Sequence, residues 1–127
     1  MEPGRELDAM VAEKVMGYAV RRGTFEYDGL ISHWMVFDDK CGGTHNPVPY
    51  STDIAAAWQV VEHLRNLTIP ERGIWLEELS GRYENSYRCG FQWIRPGYGT
   101  DYRQALGNTA PHAICLAALE AIKQATN

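Results

Sequence analysis

An α+β fold, with a mostly antiparallel β-sheet sandwiched between α-helices, is predicted by three observations on this 127-residue chain. Three segments repeat apolar residues at helical spacing. Aromatic and β-branched runs lie between them, flanked by turn residues. The run Trp34-Met35-Val36-Phe37 is apolar at consecutive positions, which asks for cover on both faces of its strand. With 45% hydrophobic residues, one domain over residues 1–127 can bury a single core.

The first helix reads from Glu6 to Val20. Leu7, Met10, Val11, Val15 and Tyr18 share a face, and Gly17 weakens or ends the helix near there. Arg21-Arg22-Gly23 fits its C-terminal turn. Tyr27-Asp28-Gly29 is a turn, and Leu30 to Phe37 a strand. Asp38 to Pro49 is a loop rich in Gly and Pro, of a length that often carries function.

The second helix runs from Ser51 to Asn66. Ser51 or Thr52 is its N-cap, Asp53 lies in its first turn, and Ile54, Ala57, Trp58, Val61 and Leu64 form its apolar stripe. After a turn at Pro70-Glu71-Arg72-Gly73 come two strands, Ile74–Ser80 and Tyr87–Ile94, joined by residues 81–86. Tyr87, Cys89, Phe91 and Trp93 alternate with Arg88, Gly90 and Gln92, so one strand face is packed and the other more open. Residues 96–101 form a turn-rich loop, and Tyr102 to Leu106 a short link. The last helix spans Thr109 to Gln124. Asn108 or Thr109 caps it, Pro111 suits its first turn, and Ile114, Cys115, Ala118, Leu119 and Ile122 make its stripe.

Composition removes several function classes. A net charge of −4 argues against general nucleic-acid binding, which needs a dense basic face. No run approaches the roughly 20 apolar residues of a membrane span, and no signal-peptide pattern opens the chain, so a cytoplasmic location and no membrane partner are expected. Three scattered cysteines without a CxxC pair suit reduced thiols. Cys41 and His45 are the one weak metal pair, and a plain Gly-rich loop is the better reading, so no metal and no cofactor are expected. Asp38-Asp39 and Glu77-Glu78 are adjacent, so on strands their carboxylates point to opposite faces and cannot share a proton. With no nucleophile elbow or phosphate loop either, catalysis is not expected.

Three segments carry a resemblance: Leu7–Tyr18 (LDAMVAEKVMGY), Tyr50–Trp58 (YSTDIAAAW) and Thr109–Leu119 (TAPHAICLAAL). In this order they resemble the motifs of the phage ABA-sandwich domain family, small proteins of phages and prophages. The resemblance implies a sheet between helices, a phage accessory protein and a place in the host cytoplasm. It implies no specific chemistry.

A binding role therefore rests on individual residues. The two helix openings put Ser51, Thr52, Thr109 and His112 at N-termini whose backbone N–H groups suit an anion, while Asp53 argues against a phosphate at its own helix start and suits a ribose hydroxyl instead. Arg88 and Arg95, with Arg82 and Arg103, suit phosphate, and Trp93 suits stacking on a base. By analogy with small phage proteins that counter host defence, the expected function is sequestration of a small nucleotide-type immune signal without catalysis. The alternative is a protein-interaction module that inhibits or scaffolds a host or phage protein. An aromatic-rich sheet on so small a domain leaves apolar surface exposed, so a homodimer or higher homo-oligomer is expected. The anion reading requires the fold to bring Ser51, Thr52 and Thr109 to one rim.

Overall fold

The computed structural model describes residues 1–27, 30–38, 43–68, 70, 72–83 and 86–126. The chain is an α+β fold. Helix α1 spans Arg5–Met10 and continues as a π-helical turn over Val11–Val15. Strands β1 (Ala19–Tyr27), β2 (Leu30–Asp38) and β3 (Gly43–His45) form one antiparallel sheet in that order. Helix α2 (Ile54–Arg65) follows. Strands β4 (Ile74–Tyr83), β5 (Ser86–Arg95) and β6 (Gly99–Gly107) form a second antiparallel sheet, and helix α3 (Ala110–Ala125) closes the order. Antiparallel sheets layered with helices are the arrangement the apolar patterning called for.

The first helix is shorter than its periodicity suggested. The Met16 N–H reaches the Val11 carbonyl at 3.0 Å and the Tyr18 N–H reaches Ala12 at 2.9 Å, widening and closing the last turn. Gly17 follows at φ 80°, a left-handed conformation that ends helices. Ala19 through Gly23, read as helix end and turn, are instead in β1, where Ala19 lies opposite Phe37. Local helical spacing lost to pairing with a strong β-former run.

Three further boundaries differ. The loop after β2 contains β3, whose Thr44 pairs with Phe37. Residues 39–42, with Asp39 and Cys41, lie outside the described residues. The second helix begins at Ile54, so Asp53 is its N-cap and neither Ser51 nor Thr52 is; Asp53 Oδ1 accepts the Ala55 N–H at 2.9 Å. The link at Tyr102–Leu106 is the body of β6, paired with β5 in continuous register from Tyr87↔Gly107 to Arg95↔Gly99. Its mixed polar composition hid a strand that pairs on one side only among the described residues.

The core lies where α2 and α3 meet the second sheet. On β5, Cys89, Phe91 and Trp93 are buried, opposite Leu79, Leu76 and Ile74 of β4. Val60 and Leu64 of α2 and Ala113, Ile114, Cys115, Ala117, Ala118 and Ala121 of α3 complete it. Each large apolar side chain buried there contributes about 1.5–3 kcal/mol. The alanines let α3 approach closely. A Cβ on Gly107 would strike the backbone of Ala113, so the end of β6 touches the start of α3.

Candidate functional site

Both helix openings are tied to the first eight residues. Ser51 is fully buried; its N–H and its hydroxyl both donate to Asp8 Oδ1, at 2.8 and 2.6 Å, and its Oγ accepts the Gly4 N–H at 2.9 Å. Asp8 is itself buried on α1. Desolvation pushes its carboxyl above the usual Asp range, opposed by the two Ser51 hydrogen bonds and by Arg5. The Ser51 side chain therefore joins α1 to the approach of α2 and presents nothing to a ligand.

The second opening behaves in the same way. Thr109 Oγ1 accepts the His112 N–H at 3.3 Å and caps α3. His112 is buried, accepts the Asn108 N–H on Nδ1 at 3.0 Å, and lies with Nε2 2.7 Å from the Met1 carbonyl. A carbonyl only accepts, so these partners assign the proton to Nε2. Thr52 and Asp53 are exposed on the α2 side.

The sheet candidates separate. Trp93 is buried in the core, facing the helices. Arg95 lies at the end of β5, its guanidinium 3.8 Å from Asp101 and 4.9 Å above the Tyr98 ring. Arg103 pairs with the same carboxylate at 3.1 Å. Arg88 is half-buried on the other face of β5, and its Nε is buried without a hydrogen-bond partner. Among the described residues, no three His, Cys, Asp or Glu side chains gather as a metal site. Burial raises the Cys89 thiol to about 12, with Glu78 adding to the effect, and raises Cys115 further still, so both stay protonated and unreactive.

A groove of about 570 Å3 opens instead between α2 and β4, lined by Trp58, Val61, Arg65, Arg72, Trp75 and Leu76. Trp58 was expected in the buried stripe of its helix, yet it is 44% exposed. Ala56, Ala57, Val60, Val61 and Leu64 are the buried set, which turns Trp58 toward the strand edge, and Ile54 of the expected stripe is exposed as well. Arg65 ends the same helix, where a cation complements the carbonyl end. Arg72 comes from the turn before β4 and adopts φ 69°, a left-handed conformation rare for a residue with a side chain. The next residue, Gly73 at φ 76°, leaves no room for a Cβ against the Arg65 carbonyl oxygen. That contact presses the turn onto the end of α2 and sets Arg72 beside Arg65. Trp58 and Arg65 of α2, Arg72 of the turn and Trp75 of β4 thus line one groove from three chain segments. Trp75 pairs with Gln92, so it lies on the strand face opposite the core-facing Ile74 and Leu76, at the rim of the groove. The sequence signal was one exposed turn arginine and one tryptophan out of phase by a position, too little to read without the fold.

A second groove, about 530 Å3, runs between α1 and α3. Met10, Leu116, Leu119 and Ile122 line it, with Lys14 and Lys123 among its polar residues. Its character is amphiphilic and lacks aromatic rings. No helix is long and apolar enough to cross a membrane among the described residues.

The model of the phage ABA sandwich domain matches residues 9–119. No curated protein and no solved structure matches the chain.

Proposed function

The chain belongs to the phage ABA sandwich domain family, and on that premise we propose that it binds a small nucleotide-type signal without transforming it, so withholding the signal from host defence in the host cytoplasm. The groove between α2 and β4 carries this reading. Tryptophan faces accept a base by stacking, at about 1–3 kcal/mol per base. Guanidiniums hold phosphate through paired N–H donors. Trp58 and Trp75 supply the first chemistry and Arg65 and Arg72 the second, within one groove. Among the described residues that line the groove none is a nucleophile, which suits storage over turnover. The reading rests on the edge of β4 and not on the helix openings, where Ser51, Asp53, Thr109 and His112 hydrogen-bond within the chain.

The test is titration of purified protein with mononucleotides, ADP-ribose derivatives and cyclic dinucleotides, read by tryptophan fluorescence. Binding should quench Trp58 and Trp75, and heating followed by filtration should return the ligand intact. Trp58→Ala and Trp75→Ala should each weaken binding about tenfold or more while the protein stays folded. Binding by no member of the panel, or release of a chemically altered ligand, overturns the proposal.

A second reading, a module that engages a host or phage protein, is favoured by the groove between α1 and α3. Its apolar floor and lysines suit an amphipathic segment. Retention of a stoichiometric protein from host lysate, lost on Leu119→Glu and kept in Trp58→Ala, would select it.

A further inference from the structure

The two edges of the second sheet are built differently. On β4 the pairing register breaks twice, between Leu76 and Glu78 and between Gly81 and Tyr83. Such irregularities blunt a strand edge against further pairing. Strand β6 pairs with β5 over its whole length without a break and contains neither proline nor lysine. Among the described residues, no strand pairs with its other edge.

At the middle of that edge, the Tyr102 N–H donates to Asp101 Oδ1 at 2.9 Å, and the Tyr102 carbonyl accepts from Arg103 Nη1 at 2.8 Å. Both main-chain groups are engaged by flanking side chains, so they lie along the open edge and outside the β5 ladder. The N–H and C=O of one strand residue point the same way, which makes Tyr102 the natural centre of an antiparallel pair.

We propose that a second copy of this chain docks here, β6 against β6 about a two-fold axis at Tyr102, joining two three-stranded sheets into one of six strands. Directly opposed residues in an antiparallel pair share a face, so a two-fold axis must pass through a residue. Centred on Tyr102, Asp101 of each copy stands opposite Arg103 of the other, while each Tyr102 ring stays folded back over Gly90 with its hydroxyl donating to Glu78 of its own β4. Centred on Arg103, that arginine would oppose itself, which like charge disfavours. The Tyr102 register also sets Leu106 of one copy opposite Tyr98 of the other. These are 60% and 81% exposed in the single chain, among its most exposed large apolar residues. Asp101 and Arg103, 3.1 Å apart within one chain, then exchange partners across the axis. The groove between α2 and β4 lies at the opposite edge, so each copy keeps its own, and dimerisation does not depend on the ligand.

Native mass spectrometry and light scattering, from low to high micromolar protein, test this on wild type, Asp101→Arg, Arg103→Asp and the double variant. Wild type should be dimeric. Each single reversal sets like charges opposite each other twice and should weaken the dimer about tenfold or more. The double variant restores opposite charges and should restore the dimer, a rescue that misfolding cannot mimic. Protection of the Tyr102 amide from hydrogen exchange should rise with protein concentration. A wild type that stays monomeric throughout, or a dimer indifferent to both single reversals, overturns the proposal.

Discussion

The Asp8–Ser51 junction and the groove between α2 and β4 both bring polar side chains from distant chain positions together, and they end in opposite conditions. At the junction, every polar group has a partner from the chain itself: Ser51 serves Asp8 and Gly4, and the neighbouring opening binds His112 to Met1. In the groove, Arg65 and Arg72 stand beside indole surface, with no hydrogen-bond or ion-pair partner for their side chains among the described residues. A polar cluster that satisfies itself stabilises the fold, and one that leaves charge and ring surface open is where a ligand gains most.

The contrast is sharpened by substitutions that should affect only one side of it. The largest loss is expected at the second helix opening. Gly107→Ala drives a Cβ into the backbone of Ala113, which cannot yield as a flexible side chain would. A cost of about 3 kcal/mol is expected in denaturant unfolding, with ligand affinity of the folded fraction unchanged. Ser51→Ala comes next. It removes one of two hydrogen bonds to the buried Asp8 carboxylate and should cost about 1–3 kcal/mol, again without altering affinity. A change in ligand binding equal to the loss in stability would erase the distinction between the two regions.

Substitutions in the groove should show the reverse pattern. Arg65→Ala and Arg72→Ala should each lower affinity for a phosphate-bearing ligand by about 1.5 kcal/mol, read by calorimetry. Stability should change by under about 0.5 kcal/mol for Arg65→Ala, a surface residue. For Arg72→Gly, the left-handed φ becomes unstrained, so the protein should be slightly more stable while binding less well.

The smallest effect is on pH dependence. The Asp8 carboxyl is raised in the folded state, so the folded protein holds this proton more tightly than the unfolded chain. Its contribution to stability is therefore fullest in acid and falls as pH rises through the ordinary Asp value of 3.8 toward the higher folded value. Comparing wild type with Asp8→Asn across acidic pH should show this slope in the wild type alone. Ser51→Ala should widen the window, because it removes a group that lowers the Asp8 value.

Much of the architecture was legible in residue spacing. Of the α3 stripe, Ile114, Cys115 and Ala118 are buried as its periodicity required while Leu119 and Ile122 are half-buried at the second groove, and the alternation of Cys89, Phe91 and Trp93 faces the core. Failures came where a local pattern competed with a distant partner. Ala19 to Gly23 had helical neighbours but paired with β2. Strand β6 lacked the apolar alternation of a central strand because it is an edge strand among the described residues. The candidate residues illustrate a related point: Ser51 and His112 have the chemistry of a binding site, but both are buried and bonded within the chain, and whether a hydroxyl or an imidazole meets a ligand depends on what else is near it.

By itself the sequence determined the three helices, the packed face of β5, the α+β class and, through three motifs, the family. These depend on spacing and propensity, which are properties of neighbouring residues. Tertiary structure alone decided that residues 1–8 would engage Ser51 and His112, that Trp58 would turn outward to line one groove with Trp75, Arg65 and Arg72, and that Tyr102 would sit on a strand edge with no further strand among the described residues. Each is a contact between segments tens of residues apart. Burial and hydrogen-bond satisfaction belong to such contacts, and no single stretch of chain contains them.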